Sequence, residues 1–234
     1  MAQKVLITGG NKGIGLAVTD LFVQHDYDVI VLGRDFSAFP YKDNKHVKEI
    51  VVDLSDPAEL RDVLQYIEPV HIVINNAGIN GDTSYDTYTD ASRDKVLQVN
   101  LHTPIEIIRH FAPFWIKRHQ GRVVNVASQA AEVGHSDIWY GITKAGLVNV
   151  TKSLASALGP QGIVINAVSP GPVDTSMLGQ FSVGERIRKL IDRTYLKRLA
   201  TPQGVAKVIY WLAVKSPAYI NGENIDINNG AQRI

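Results

Sequence analysis

Short apolar runs that do not alternate with polar residues recur along this chain, and they restrict its fold more than any other feature. They are Val5-Leu6-Ile7, Val29-Ile30-Val31-Leu32, Ile50-Val51-Val52, Ile72-Val73-Ile74, Val123-Val124-Asn125-Val126, Ile163-Val164-Ile165 and Ile225-Asp226-Ile227. A strand with one wet face alternates, whereas a strand covered on both faces reads as a nearly unbroken β-branched run. Between the runs lie segments of helical period. Ile14, Val18, Leu21 and Phe22 fall three or four apart and form one stripe. Ser55-Asp56-Pro57 signals a helix running to about Ile67, and Thr201-Pro202 signals another reaching about Val214. Strand-then-helix order, repeated, implies right-handed crossovers. The fold class is α/β: a three-layer, doubly wound, Rossmann-type parallel sheet of about seven strands.

Two links break the rhythm. Only 13 residues separate Arg34 from Lys48, Pro40 among them, so a loop or single turn is expected there. From Asp174 to Arg198, Gly179 and Gly184 interrupt a stretch in which Met177, Leu178 and Phe181 follow no strict period. Such a stretch inside a compact domain reads as a functional lid. No linker, repeat or low-complexity tract divides the 234 residues, so 1–234 is read as one domain. A domain of that size buries roughly 70–75% of its extended surface.

Composition removes several function classes. Lys and Arg total 24 against 23 Asp and Glu, so no global field draws nucleic acid or anionic lipid. No apolar run approaches the roughly 20 residues that span a bilayer. Neither a nucleic-acid nor a membrane partner is expected. The absence of cysteine excludes a disulfide framework, a thiolate nucleophile and a zinc site built on Cys. Seven His residues show no HxxxH or HExxH spacing, so no metal is expected either. The first apolar run begins at Val5 and leaves no room for a signal peptide, which predicts a cytoplasmic protein.

The first strand runs into Thr8-Gly9-Gly10-Asn11-Lys12-Gly13-Ile14-Gly15 and then directly into the first amphipathic segment. Glycines let the backbone approach a ligand closely, and the helix start offers free N–H groups and a positive dipole end. That combination suits a pyrophosphate. Further on, Tyr140 and Lys144 stand i and i+4, on one face if the segment is helical. A phenol with a pKa near 10 is a weak acid or base at neutral pH, and a neighbouring ammonium would lower it. A shift of about 2–3 units requires roughly 3–4 kcal/mol. By spacing alone the pair reads more readily as a packed Tyr and a solvated Lys. Ser128 follows the fifth run, at the strand end where open α/β sheets place ligands.

Taken in order, Thr8-Gly9-x3-Gly13-x-Gly15, Asp53-Leu54, Asn75-Asn76-Ala77-Gly78, Asn100, Ser128, Tyr140-x3-Lys144 and Pro170-Gly171 with Thr175 resemble the short-chain dehydrogenase/reductase family in its single-domain form. The resemblance covers about Lys4 to Gly230. It implies a catalytic tetrad of Asn100, Ser128, Tyr140 and Lys144. Tyr140 would be the acid/base, Ser128 a hydrogen bond to the substrate carbonyl, and Asn100 the holder of a water linking Lys144 to solvent. It also implies cofactor contacts from Thr8, Gly9, Asn11, Lys12, Gly13, Ile14 and Gly15 in the turn. Asp53 and Leu54 would lie at the adenine edge, and Asn76, Ala77 and Gly78 along the adenine ribose. Tyr140 and Lys144 would reach the nicotinamide ribose, with Pro170, Gly171, Val173 and Thr175 nearer the carboxamide. Asn229 departs from the glycine usual near the last strand.

The implied activity is hydride transfer between a nicotinamide and a small-molecule carbonyl or secondary alcohol. Gln129 to Val133 and Tyr219 to Glu223 look most like 3-oxoacyl-acyl-carrier-protein reductases, whose substrate rides on an acyl carrier. Two alternatives stay open: an NAD-dependent dehydrogenase of a cyclic dihydrodiol, suggested by the short Arg34–Lys48 link, and a cofactor-sensing binding protein without turnover. Gly33 occupies the usual position of the acid that selects NAD, and Arg34 follows it. With Lys12 nearby, NADP(H) is the expected cofactor. NAD(H) remains open through Asp35, one residue further on. The family resemblance also implies a homotetramer or homodimer, through helices at about Arg93–Arg118 and Tyr140–Leu158. In the second, Leu147, Val150, Leu154 and Leu158 form an apolar stripe.

Overall fold

The computed structural model describes residues 3–81, 85–179 and 184–231. Phe181 of the expected lid lies outside them. Seven parallel strands are present among the described residues, ordered β3-β2-β1-β4-β5-β6-β7. They are β1 (Lys4–Thr8), β2 (Asp28–Gly33), β3 (Val47–Val51), β4 (Ile72–Asn75), β5 (Gly121–Val126), β6 (Ile163–Pro170) and β7 (Asn224–Ile227). The helices are α1 (Gly13–Gln24), α2 (Pro57–Gln65), α3 (Asp90–Leu97), α4 (Thr103–Arg118), α5 (Ile138–Leu158), α6 (Ser176–Gly179), α7 (Glu185–Arg193) and α8 (Pro202–Tyr210). The chain winds outward from β1 to β3, then returns to β4 on the other side of β1. The C-terminal ends of β1 and β4 therefore flank the crevice where such sheets bind ligands.

The unbroken apolar runs are explained by the two faces. Val5 and Ile7 pack with Val18, Phe22 and Ile209 of α1 and α8, while Leu6 between them packs with Leu60, Ile107 and Phe111 of α2 and α4. Every second residue feeds a different core, which is why these runs do not alternate with polar residues. The polar groups that do stand in the central strands, such as Asn75 and Asn125, are buried. Trp115, fully buried, donates from Nε1 to the Val70 carbonyl at 2.7 Å.

Several boundaries differ from the sequence expectation. β3 begins at Val47, before the Ile50-Val51-Val52 run, because it pairs from Val29 onward along β2. As an edge strand it leaves Val51 66% exposed. β6 extends to Pro170, since Ala167 to Pro170 pair with Asn224 to Ile227. The expected helix from Arg93 to Arg118 is broken by a π-helical turn at Gln98–His102. No helix forms between β2 and β3, as expected. Phe36 and Phe39 fill the space instead, their rings 5.3 Å apart, and Tyr41 donates to Asp20 Oδ1 at 2.9 Å. Asn229 adopts φ +52, the left-handed region that Asn tolerates better than most residues, which accounts for its standing in a glycine's place. Among the described residues, no helix is long and apolar enough to cross a membrane and no cluster of metal-ligating side chains occurs.

Candidate active site

The Gly-rich turn is held against the loop after β4. Thr8 Oγ1 accepts from the N–H groups of Asn76 and Ala77 at 3.0 and 2.9 Å. Asn76 Nδ2 donates to the Thr8 and Gly9 carbonyls at 3.0 and 3.1 Å. Gly9 has φ +64, and a Cβ on Gly15 would lie 2.1 Å from the Gly9 carbonyl, so neither position admits a side chain. No side chain caps α1, whose N-terminal residue is preceded by extended Lys12. The first-turn amides of α1 therefore face the crevice without a protein acceptor, as an anion site requires. Thr175 lies against Gly13, closing the turn from the β6 side. Gly171 N donates to Ile227 O at 3.0 Å and so sets the loop after Pro170. Val173 is buried among core residues and bridges to Ala200, so only its main chain can meet a nicotinamide.

At the adenine edge, Asp53 accepts from Ser55 N and Oγ at 2.9 and 2.8 Å, and these bonds hold its carboxyl below the usual range. Arg34 and Lys95 reinforce the effect by charge. Leu54 is buried beside it, its carbonyl accepting from Thr103 Oγ1. Arg34 itself is exposed, opposite Asp53. The Asp35 carboxylate accepts from Ser37 N at 2.8 Å, within its own loop, and the bonds to Ser37 hold it low. Asn11 Nδ2 donates to the Asp35 carbonyl at 2.6 Å, which fixes the strand end against the turn. A Cβ on Gly33 would approach Asn11 Oδ1 to 3.3 Å.

Across the crevice, Ser128, Tyr140, Lys144 and Asn100 come together. Ser128 Oγ accepts from Ala130 N at 3.1 Å and is hydrogen-bonded to the Tyr140 phenol. Lys144 is buried, its Nζ donating to the Val126 carbonyl at 2.8 Å and lying 5.6 Å from the Tyr140 ring centroid. A Cβ on Gly78 would stand 3.2 Å from that Nζ, which ties the loop after β4 to the lysine. Burial brings Lys144 down from 10.5 to about 8.

One expectation needs correction here. Lys144 does not lower Tyr140 in the protein's own arrangement. Burial pushes the phenol up, the Ser128 bond opposes it, and Asp137 pushes further in the same upward direction. The physical reason is that Tyr140, half-buried as a whole residue, sits with its hydroxyl end in dense surroundings, while Lys144 spends its Nζ on a carbonyl. Asn100 is held by its side chain: Nδ2 donates to Ile79 O and Thr143 Oγ1 at 2.9 and 3.1 Å, and Oδ1 accepts from Ile79 N at 2.9 Å.

Sequence reasoning missed Asp137. Its side chain is buried, caps α5 by accepting from Tyr140 N at 3.0 Å, and accepts from Gly81 N at 2.7 Å. The signal was an Asp directly before the first helical residue. Thr143, which donates to the Tyr140 carbonyl at 2.8 Å and accepts from Asn100, carried no comparable signal.

Three comparisons with known proteins agree on the kind of molecule. A family model described as enoyl-(acyl carrier protein) reductase matches residues 9–232. A 3-oxoacyl-(acyl-carrier-protein) reductase of Aquifex aeolicus is 32% identical over 238 residues, covering 96% of this chain and 95% of the relative. Among solved structures, a 4-hydroxyisoleucine dehydrogenase complexed with NADH superposes with a TM-score of 0.92 at 26% identity, covering 98% of each chain. The protein ElxO with NADP bound gives a TM-score of 0.86 at 27% identity, covering 99% of each.

The buried lysine has a measurable consequence for stability. Its folded pKa of about 8 lies below the free value of 10.5, so the unfolded chain binds the proton more tightly. The penalty is fully present below pH 8 and is relieved as pH rises from 8 to 10.5, where stability increases with pH. Lys144→Met removes the penalty. At pH 7 the variant should be more stable by about 1–3 kcal/mol, the lost bond to Val126 O included. The advantage should fade by pH 10. Urea unfolding at both pH values checks this, and a variant less stable than the parent at pH 7 contradicts it.

Proposed function

The chain belongs to the short-chain dehydrogenase/reductase family, and from that premise we propose that it is an NADP(H)-preferring ketoreductase acting on a 3-oxoacyl-type carbonyl. One observation carries the reading: two hydroxyls, Ser128 and Tyr140, meet each other at the C-terminal end of β5, backed by buried Lys144. Two O–H groups converging on one point suit a single acceptor oxygen. When bound, the nicotinamide would exchange a hydride with the carbon that bears that oxygen. The cradle fits such a cofactor, since Gly9 and Gly15 admit no side chain where the turn meets the crevice and the helix start is uncapped.

In reduction, Ser128 would hold the carbonyl oxygen and Tyr140 would donate its proton to it. The upward push on Tyr140 favours this direction, because the phenol then stays protonated at neutral pH. Lys144, with a pKa of about 8, keeps most of its charge at pH 7 and can offset the phenolate left behind. The acyl carrier as the substrate's vehicle belongs to the relatives by name and is proposed here by similarity.

Tyr140→Phe keeps the ring and removes the acid. It should lower kcat on acetoacetyl thioester by about 10²–10⁴-fold and leave cofactor affinity nearly unchanged, as read by fluorescence titration. A variant retaining most of its turnover refutes the role. Crotonyl thioester belongs in the same assay, because the family model's description names an enoyl substrate. A protein that binds cofactor and turns over neither substrate supports a binding role instead.

Cofactor preference follows from the β2 end. Arg34 is free of the Asp35 carboxylate, which is committed to Ser37, and it stands across from Asp53. A charge-assisted contact is worth about 1.5–3 kcal/mol, or roughly 10- to 150-fold in affinity. Arg34→Leu should weaken NADPH binding by that factor and spare NADH. A parent protein that prefers NADH reverses the assignment and favours the dihydrodiol alternative.

For assembly, the apolar stripe on α5 is largely spent within the chain. Leu147 is buried, Leu154 and Leu158 pack on the sheet, and Val150 is half-buried. Ile138 and Ile142 on α5 and Ile116 on α4 are the exposed apolar groups on those helices, and they suit an isologous interface. Light scattering should give a dimer or tetramer; a mass near 25.7 kDa refutes it.

A further inference from the structure

The loop between Ser128 and Tyr140 carries a histidine that the chemistry above does not use. His135 is half-buried, and its ring lies against that of Tyr140, with centroids 5.1 Å apart at 48°. Its Nδ1 is 3.1 Å from Asp137 N and 3.2 Å from Asp137 O. The two contacts demand opposite tautomers, and the main-chain partners decide between them. Asp137 O already accepts from Gly141 N at 3.1 Å in the first turn of α5. Asp137 N precedes the helix, and His135 Nδ1 is its acceptor among the described residues. A buried N–H is rarely left without a partner. Nδ1 is therefore the acceptor, and the ring proton resides on Nε2.

No described residue accepts from Nε2. The result is an N–H donor of fixed tautomer on a ring packed against that of Tyr140, held by the same residue, Asp137, that caps the helix carrying Tyr140. A solvated histidine would be free to choose its tautomer and would not pack its ring on the acid/base group.

We propose that His135 is a substrate-positioning residue whose Nε2–H donates to a second oxygen of the substrate, close in the molecule to the reacting carbonyl. The substrate class it selects is the 1,3-dicarbonyl type, a 3-oxo ester or thioester, over a simple ketone. The proposal rests on the ketoreductase reading of the Ser128–Tyr140 site. Holding the second oxygen restricts rotation about the bonds that join the two carbonyls, and so presents the reacting carbon in one orientation.

The test compares the parent enzyme, His135→Leu and His135→Gln on ethyl acetoacetate and on 2-octanone, which has no second oxygen. His135→Leu should raise KM for ethyl acetoacetate by about threefold to tenfold and leave that for 2-octanone unchanged. His135→Gln, which keeps an N–H donor, should recover much of the loss. Equal losses on both ketones would mean that the ring only packs Tyr140, and no change on either would mean that it does nothing; each overturns the proposal while leaving the ketoreductase reading intact. A parent enzyme that reduces neither ketone nor acetoacetyl thioester overturns that reading and this proposal with it. Nitrogen NMR of the imidazole should show the Nε2–H tautomer, and an Nδ1–H tautomer overturns the geometry independently.

Discussion

Everything functional in this molecule depends on the seam between β1 and β4. A parallel sheet directs all its strand ends to one edge, and the reversal of winding opens a crevice between two neighbours that no crossover covers. That crevice is mechanically weak unless something crosses it. Here Thr8 and Asn76 do so, through bonds from Asn76 N and Ala77 N to Thr8 Oγ1 and from Asn76 Nδ2 to the Thr8 and Gly9 carbonyls. The same loop continues to Gly78, against Lys144 Nζ, and to Ile79, which Asn100 grips by both N–H and carbonyl. One continuous network therefore joins the phosphate turn to the acid/base group. The Gly-rich turn and the helix that carries Tyr140 are thereby held to a common frame.

The network concentrates polar groups that a stability-optimised core would not contain. Asn75 and Asn125 bond across β4 and β5, Asn125 donates to Thr151, and Lys144 lies buried with a carbonyl rather than a carboxylate as its partner. A carboxylate beside Lys144 would restore its charge and its pKa, and would also repel a phenolate forming nearby. A carbonyl partner gives a hydrogen bond without that anion. The lysine is then destabilised, and the folding free energy supplied by the two apolar layers offsets it.

How much of this could be read from the chain follows from locality. The central strands were legible because burial on both faces writes itself as unbroken apolar runs, and Thr8 to Gly15 were legible because only glycine tolerates the turn. The edge was not: β3 starts at Val47, where Lys48 and Glu49 alternate like any solvated segment, and pairing with β2 alone decides it. The tetrad was readable as a set of spacings, but its electrostatics were not. Spacing put Lys144 on the face of Tyr140, while the direction of its Nζ depends on Val126, eighteen residues away. Asp137 hid behind an ordinary helix start, since its second partner, Gly81, lies 56 residues back.

Asp137 also bears on the direction in which the site is set to work. An anion at the start of α5 gains from the helix dipole and satisfies Tyr140 N, which is reason enough for a carboxylate there. It is also near enough to the phenol to push its pKa up, and it acts in the same sense as burial, against the Ser128 bond. Two upward influences against one downward leave a protonated Tyr140 at neutral pH. A proton donor that is already loaded serves reduction of a carbonyl at once. Oxidation of an alcohol would require that proton to leave first, and Lys144 together with the positive charge of a bound oxidised nicotinamide would assist it. On the proposed ketoreductase reading, the chain's own side chains favour proton donation, and the opposite direction would draw on the cofactor's charge.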